Sequence, residues 1–280
     1  MTLGSKTIRN TLIGIGSVAL FFVLSALYFA PQYSGKVLAQ HDVQQYEGMC
    51  KDILDNREAT GEDAQWTGGM FGGMPATSIS VVFEGDVTKY LYDALFIGER
   101  PASYLLISLV GGFLLMLAFG MNVWLSFLGA VAMTFCAYNM QIIQVGHNTK
   151  MQAIAFFPWV LAGVIFTYRS AMRLPVGAGN DERCKAWLPK TVLGAVLFAL
   201  ALSMQIKANH VQITYYLAIV IFIYAIGLFI SLCVDKTKRA LIKRFFAASA
   251  LLLVIGCVGI ATNANKLIPT YEYTPYTMRG

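Results

Sequence analysis

A histidine and a carboxylate stand side by side in this chain, as His41-Asp42, just after the first long apolar run. A carboxylate held near a membrane surface can take a proton from an attacking hydroxyl, which is general-base chemistry. The alternative is that Asp42 only caps a following helix, since aspartate is a favoured N-cap residue. A cap needs no particular residue before it, so the adjacent His41 favours the chemical interpretation. Asp42 is therefore the candidate catalytic residue.

The other two of the three histidines lie in polar turns, each between the end of one apolar run and the start of the next. If the runs alternate across a membrane, these turns emerge on the same side as His41. Polar groups that converge at one end of a helix bundle are typical of a site. The alternative is that they only tie loop backbone at span ends, where buried backbone groups need partners. The candidate substrate-binding residues are His41, His147, Asn148, Lys150, Lys207, Asn209, His210 and Gln212.

The composition is that of an integral membrane protein. Of the 280 residues, 57% are hydrophobic and 13% charged, and the mean hydropathy is +0.60. A soluble domain is nearer one half apolar and one quarter charged. The net charge of +6 does not indicate a nucleic-acid partner, because the basic residues cluster in loops beside apolar runs. The five cysteines show no close pairs, so neither a disulfide framework nor a zinc pattern is present.

The apolar runs predict an all-α, multi-pass transmembrane helix bundle. A span needs about twenty mostly apolar residues, and about seven runs qualify. None of their cores contains a charged side chain. We take residues 1–280 as a single transmembrane module. The predicted spans are 11–30, 102–120, 123–140, 151–168, 191–204, 211–234 and 245–264.

The basic residues predict the orientation of these spans. Lysine and arginine are concentrated before span one, between spans four and five, and between spans six and seven, which alternation puts on one side. Positive residues stay inside, so the N-terminus is predicted to be cytoplasmic and the 31–101 loop external. The basic residues are Lys6, Arg9, Arg169, Arg173, Arg183, Lys185, Lys190, Lys236, Lys238, Arg239, Lys243 and Arg244.

The external loop predicts two amphipathic helices of the interfacial kind. In 43–56 the apolar residues at helical spacing are Val43, Tyr46, Cys50 and Ile53. In the second helix they are Val87, Leu91, Ala94 and Leu95. Between the two helices, residues 66–75 carry four glycines among aromatic and methionine residues. This stretch lacks the lysine of a phosphate-binding loop, which favours a tight, packed loop that lies over the spans.

Several separate motifs along nearly the whole chain resemble the YfhO-type bacterial membrane proteins, in the form found in Bacteroidetes. That family in turn resembles the GT-C glycosyltransferases. Family members are considerably longer, so the chain looks like the N-terminal part of such a protein. The motifs are Tyr28-Phe29-Ala30-Pro31, Gln40-His41-Asp42, Gln45-Tyr46-Glu47-Gly48, residues 66–75, Gly146-His147-Asn148 with Lys150, Asn209-His210 with Gln212-Ile213-Thr214-Tyr215-Tyr216, and Pro269-Thr270-Tyr271-Glu272-Tyr273.

The resemblance implies a multi-pass enzyme of the bacterial cytoplasmic (inner) membrane that uses a polyprenyl-phosphate-linked sugar as donor. Its partners would be membrane lipid, the lipid-linked sugar, and a cell-envelope glycan or lipid as acceptor. Asp42 takes the position of the acidic residue that such enzymes carry soon after span one. Many of them pair that residue with a second carboxylate, whereas this chain has His41-Asp42. The departure argues against a divalent metal held by paired carboxylates, and no other cofactor is implied.

Two other functions stay open from the sequence: a transporter or flippase for a lipid or polar solute, and a non-catalytic assembly protein. Proton-coupled transporters usually carry ionisable groups within their spans. The predicted spans carry no acidic or basic residue, which counts against proton coupling but not against lipid transport. The Asp42→Asn variant separates these functions, because an enzyme loses turnover while it still binds the lipid donor.

Overall fold

The described part of the chain is all-α apart from one short hairpin. The structure, a computed structural model, describes residues 3–81, 83, 85–86, 88–96, 100–172 and 187–277. The hairpin pairs β1 (Trp66–Thr67) with β2 (Met74–Pro75) in antiparallel register. The described α-helices are α1 (Leu3–Tyr28), α2 (Ala30–Tyr33), α3 (His41–Met49), α4 (Lys51–Thr60), α5 (Thr88–Leu95), α6 (Ala102–Ala118), α7 (Val123–Thr134), α8 (Ala137–Val145), α9 (Asn148–Ala171), α10 (Trp187–Lys207), α11 (Val211–Val234), α12 (Ile242–Ala261) and α13 (Ala264–Tyr273).

Within the described residues, five helical segments are long and apolar enough to cross a membrane, which supports the predicted class of membrane protein. The helix α6 is also apolar but has only 17 residues. At 1.5 Å per residue it is about 25 Å long, slightly short of a hydrocarbon core of about 30 Å. The five segments are Thr11–Tyr28, Asn148–Ala171, Trp187–Lys207, Val211–Val234 and Lys236–Ala261.

The region predicted as one uninterrupted span, 123–140, is instead a bent pair of helices. The helices α7 and α8 meet at an angle of 44°, and counting them together raises the number of candidate spans to six. Bending frees carbonyl groups from the helical ladder, and these need new partners inside a bundle. Asn139 provides one, because its Nδ2 donates to the carbonyl oxygen of Thr134 at 3.0 Å.

The helix α9 is the centre of the bundle. In its membrane-span window 72% of the residues are buried, against 11% for α11. It packs closely on α6 and α10 because small residues let the backbones approach. A Cβ at Gly163 would lie 2.7 Å from the Cα of Phe198 on α10. On the other side the indole of Trp159 fits against Gly111 and donates from Nε1 to the carbonyl oxygen of Ile107 at 2.8 Å.

The helices alternate in direction, so the predicted polar turns come together at one end of the bundle. Contacts of Asp42 with His147, and of Asp86 with Lys207, join the long loop to the ends of α9 and α10. We call this the polar end. At the opposite end Arg169 donates from Nη1 to the carbonyl oxygen of Ala118 at 2.5 Å. Which end faces the cytoplasm stays a prediction. Of the basic residues on which that prediction depends, Arg173, Arg183 and Lys185 lie outside the described residues.

The long loop differs from its prediction in detail. The helix predicted over 43–56 is divided at Cys50, whose φ of −96° and ψ of 2° end α3 and begin α4. Cys50 and Ile53 are fully buried as predicted, but Tyr46 is 41% exposed. The second predicted helix exists as α5, yet its buried residue is Tyr92, while Leu91 is 41% exposed.

That second helix was predicted to include Val87, which lies outside the described residues. The glycine-rich stretch is a tight loop, as its composition predicted: Phe71, Gly72 and Gly73 all have positive φ. The predicted packing of this loop is wrong for its aromatic residues, because Trp66 is 59% exposed and Phe71 is 88% exposed. It is tied to α4 by Asp52, which accepts from the Thr67 hydroxyl at 2.5 Å and from the Gly68 amide at 3.2 Å. The hydroxyl of Thr67, assisted by backbone N–H groups, holds the pKa of Asp52 below its usual value, although desolvation opposes this effect.

Candidate functional site

The turn between α8 and α9 presents His147 at the polar end. Gly146 ends α8 with φ of +101°, a left-handed conformation that favours glycine. The amides of Gly146 and His147 both donate to the carbonyl oxygen of Ile142, at 3.2 and 3.1 Å. His147 is then the N-cap residue of α9. Its imidazole therefore stands at the positive end of a long helix dipole.

Gln40 holds the start of α3 against this turn. Its Nε2 donates to the carbonyl oxygen of Ile143 at 2.5 Å. The side-chain amides of Gln40 and Asn148 bond reciprocally at 3.3 Å. A Cβ at Gly146 would lie 3.0 Å from the Cβ of Gln40 and 3.3 Å from that of Asp42. Asn148, predicted to bind substrate, thus has a partner within the protein, and Gly146 provides the room for α3.

Asp42 and His147 form an acid–base pair. Oδ2 of Asp42 lies 2.5 Å from Nδ1 of His147, and the two side chains are 32% and 51% exposed. The interpretation of Asp42 as a helix N-cap is wrong, because the N-cap residue of α3 is Gln40. A carboxylate on Nδ1 leaves Nε2 of the imidazole as the free ring nitrogen. The second oxygen of Asp42 has no hydrogen-bond partner in the part of the chain that the structure describes. The predicted proximity of Asp42 to His147 is confirmed.

A lysine and the third histidine lie beside this pair. Lys150, one turn into α9, places Nζ 5.4 Å from the centre of the Tyr138 ring. Burial, and then the nearby charges of Lys150 and His147, lower the pKa of His210. Asn209 before it has φ of +58°, uncommon for a residue other than glycine. Nδ1 of His210 is buried and has no hydrogen-bond partner among the described residues.

Three predicted binding residues are engaged elsewhere. His41 is exposed and bonds through Nε2 to Nε2 of Gln45, at 2.9 Å, on its own helix. Gln212 donates to the Tyr216 hydroxyl at 2.9 Å, also one turn along the same helix. Lys207 is not free at the surface but forms an ion pair with Asp86.

The Asp86–Lys207 pair is part of a buried cluster. The two side chains are 11% and 7% exposed. Lys207 Nζ also donates to the Thr88 hydroxyl at 3.0 Å and lies 6.0 Å from the centre of the Tyr92 ring. Burial alone would raise the pKa of Asp86, but hydrogen bonds and charge from Lys207, together with Thr88, hold it below its usual value. Sequence reasoning missed Asp86, because no motif marks its partner far along the chain.

Lys266 adds a second ammonium group to this cluster. Its Nζ donates to the carbonyl oxygen of Lys207 at 3.3 Å. Burial lowers the pKa of Lys266, and the positive charge of Lys207 lowers it further. No ion pair of Lys266 occurs within the described ranges.

An apolar groove begins near the cluster. Its volume is 410 Å³, and it lies between α6, α9 and α10, with α5 across one end. Met204, which lines it, is one turn before Lys207, and Leu91 is one turn after Thr88. The lining residues are Leu91, Leu95, Leu114, Leu117, Ala118, Phe156, Trp159, Ala162, Gly163, Phe166, Leu193, Leu197, Leu200, Ala201 and Met204.

The described residues bring together no group of three or more His, Cys, Asp or Glu side chains that could hold a metal ion. No protein-family model, curated protein or solved structure matches the chain. Its function is therefore argued from the geometry of the polar end.

Proposed function

We propose that the chain is a membrane glycosyltransferase that uses a polyprenyl-phosphate-linked sugar at the external face of the bacterial cytoplasmic membrane. The observation that carries the proposal is the Asp42–His147 pair. A carboxylate that is about one-third exposed is fixed beside histidine and lysine at one end of an apolar helix bundle. The resemblance of the motifs to the YfhO-type proteins, and through them to GT-C enzymes, supports the same reaction.

In this reaction an acceptor hydroxyl attacks the anomeric carbon of the sugar. The oxygen of Asp42 that is not bonded to His147 takes the hydroxyl proton as the new C–O bond forms. The bond between the anomeric carbon and the phosphate oxygen breaks at the same time, and its electron pair leaves with the polyprenyl phosphate. His147 is a positioning residue, since its Nδ1 holds the other carboxylate oxygen at 2.5 Å.

The leaving phosphate gains negative charge in the transition state, and fixed positive groups stabilise that charge. Lys150 supplies a positive charge near Asp42, and His210, whose pKa is lowered by burial, can donate a ring N–H from its neutral imidazole. The N-terminus of α9, which begins at Asn148, adds the positive end of its dipole. Asp42 is the carboxylate that lies beside these groups. Its second oxygen stays available to act as the base, apart from the phosphate.

The apolar groove favours a second candidate, a lipid flippase, because such a protein also needs a path for a hydrocarbon chain. The Asp42–His147 pair distinguishes the two. Transport across the membrane requires no carboxylate that is ready to accept a hydroxyl proton, whereas sugar transfer does.

The test uses the full chain in proteoliposomes with a radiolabelled polyprenyl-phosphate sugar and an envelope lipid extract as acceptor. We expect Asp42→Asn to reduce transfer about 10²- to 10⁴-fold, the usual contribution of a general base, while donor binding is kept. Asp55→Asn is the matched control, since Asp55 is an exposed carboxylate paired with Lys51. Full transfer by Asp42→Asn would refute the proposal. Lipid translocation without sugar transfer would establish the flippase instead.

A further inference from the structure

The apolar groove has room for one hydrocarbon chain. Its lining residues on α10 run from Leu193 to Met204, which is about 16 Å along the helix axis. A methylene group occupies about as much space as a water molecule, ~30 Å³. The groove volume of 410 Å³ is therefore enough for one chain of about fourteen carbons. The lining side chains in the described part of the chain are all apolar.

The end of the groove at α5 carries an excess of positive charge. Among the described residues, the ammonium groups of Lys207 and Lys266 lie near one carboxylate, Asp86, which pairs with Lys207. The hydrogen bond of Lys266 in the described structure goes to a neutral carbonyl oxygen, at 3.3 Å. A partly buried ammonium that lacks a carboxylate partner is costly, and an anion placed against it removes that cost.

Two helices, α10 and α5, each connect the groove to the ammonium groups. On α10, Lys207 follows the groove residue Met204 by one turn. On α5, the groove residue Leu91 follows Thr88 by one turn, and the Thr88 hydroxyl accepts a hydrogen bond from Lys207 at 3.0 Å. The charged group and the apolar path are thus parts of one surface, which α5 partly covers.

We infer that this surface binds a lipid with one hydrocarbon chain and a terminal phosphate, its chain in the groove and its phosphate against Lys266. The inference rests on the proposed function and extends it, because Lys266 joins Lys150 as a cation that meets the phosphate of the lipid carrier. Lys207 stays paired with Asp86 and holds α5 in place, so Lys266 is the binding residue and Lys207 a positioning residue. This assignment differs from the sequence-based expectation, in which Lys207 is itself a candidate substrate-binding residue.

The probe for this inference is tritiated farnesyl phosphate, a monophosphate on one fifteen-carbon chain, bound to the purified full chain in detergent. We expect Lys266→Gln to weaken binding at least tenfold and Lys266→Arg to retain it. Lys89→Gln, which removes an exposed lysine of α5, is the charge control and should bind normally. Unchanged affinity in Lys266→Gln would overturn the phosphate assignment.

A second variant tests whether the groove itself holds the hydrocarbon chain. Leu197 lines it and is 48% exposed, so Leu197→Trp fills the groove without a change in the buried core. We expect at least a tenfold loss of probe affinity. Val196→Trp, at the neighbouring exposed position outside the lining, is the control and should bind as the unmodified chain does. Equal binding by the Leu197→Trp and Val196→Trp variants would overturn the groove assignment.

Competing ligands test separately the contributions of the phosphate headgroup and of the hydrocarbon chain. Farnesol, which has the chain without the charge, should compete at least tenfold less well than farnesyl phosphate. Two-chain phosphatidate and the carboxylate palmitate should also compete poorly, and strong competition by either would contradict a single-chain phosphate lipid.

The inference and the proposed function can fail separately. We expect Asp42→Asn to bind the probe normally. If binding depends on Lys266 and Leu197 but Asp42→Asn still transfers sugar, the lipid site stands and the transferase does not. If Asp42→Asn abolishes transfer while Lys266→Gln leaves binding unchanged, the transferase stands and the lipid site does not.

Discussion

Two acid–base pairs join the long loop to the ends of the central helices, and they differ most in burial. Asp42 and His147 are 32% and 51% exposed, whereas Asp86 and Lys207 are 11% and 7% exposed. Exposed ion pairs contribute little to stability, since water solvates both groups whether or not they meet. A buried pair is costly to break, because the remaining charge has no compensation.

The difference in burial indicates different roles: the exposed pair is a candidate site, and the buried pair supports the fold. The Asp42–His147 pair lies where a substrate can reach it, at the start of α9, and one carboxylate oxygen is left without a described partner. The Asp86–Lys207 pair is enclosed by Thr88 and the Tyr92 ring, which complete its contacts. The accessible pair is therefore expected to govern activity, and the enclosed pair to govern the docking of α5.

The largest expected effect on stability comes from breaking the buried pair. Asp86→Leu leaves the Lys207 ammonium buried without its carboxylate, and such a change usually costs about 3–5 kcal/mol. We expect this loss in the free energy of unfolding, measured by denaturant titration in lipid-free detergent. The double variant Asp86→Leu/Lys207→Met removes both charges and should recover most of the loss. A single-variant loss below about 1 kcal/mol would place this pair with the exposed one.

A smaller effect is expected at the turn that brings the exposed pair together. Gly146→Ala puts a side chain at φ of +101°, and its Cβ would meet Gln40 and Asp42 at 3.0 and 3.3 Å. Strain of this kind costs about 1–3 kcal/mol. We expect that loss in unfolding free energy, together with reduced sugar transfer because α3 is displaced.

The control for that variant is Gly48→Ala on α3, where an added Cβ meets nothing within 4 Å. Alanine in a helix interior is favoured over glycine by up to about 1 kcal/mol, so this variant should be neutral or stabilising. Equal stability of the two variants would show that the turn tolerates a side chain and that Gly146 does not set the approach of α3.

The sequence predicted those features of the fold that depend on local composition. Apolar runs predict membrane helices because about twenty apolar residues suffice to span a bilayer core. Alternating spans predict that polar turns share one end, and the contact of Asp42 with His147 agrees. The candidate pair was therefore accessible to sequence reasoning, although the roles of its members remain predictions.

Other features depend on contacts between distant residues and could not be predicted. Asp86 and Lys207 are 121 positions apart, and neither has a neighbour that marks the other. The break between α7 and α8 lies in a mostly apolar run, and the hydrogen bond from Asn139 that compensates it is visible only in three dimensions. The groove arises because α6, α9 and α10 leave a space between them, which no single helix pattern encodes.

A pH titration sharpens the contrast between the pairs. Because the folded state holds the pKa of Asp86 below its usual value, the folded protein binds fewer protons at this group than the unfolded chain near that value. Its stabilisation is complete above about pH 4, the ordinary carboxylate range, and is lost as the pH falls through the lower, folded-state pKa.

We therefore expect the difference in Tm between the unmodified chain and Asp86→Asn to shrink as the pH is lowered from 6 to 3. Asp52 and Asp235 also have lowered pKa values, so the unmodified chain and the variant should both lose stability over this range, the variant less. Melting curves that stay parallel between the two proteins would contradict the assigned role of Asp86.

The smallest expected effect is the contribution of the exposed pair to stability. The free energy that couples Asp42 to His147 should be at most about 1 kcal/mol, the usual value for exposed ion pairs. A double-mutant cycle with Asp42→Asn and His147→Gln measures this coupling without the separate effects of either change. At 1 M salt the Debye length is about 3 Å, so the coupling should decrease further, whereas that of the buried pair should not.

A salt-independent coupling above about 2 kcal/mol would mean that Asp42 serves to stabilise the fold. With such a strong coupling, a loss of sugar transfer in Asp42→Asn would reflect a displaced α3. With a small coupling, the same loss would mean that Asp42 takes part in the reaction.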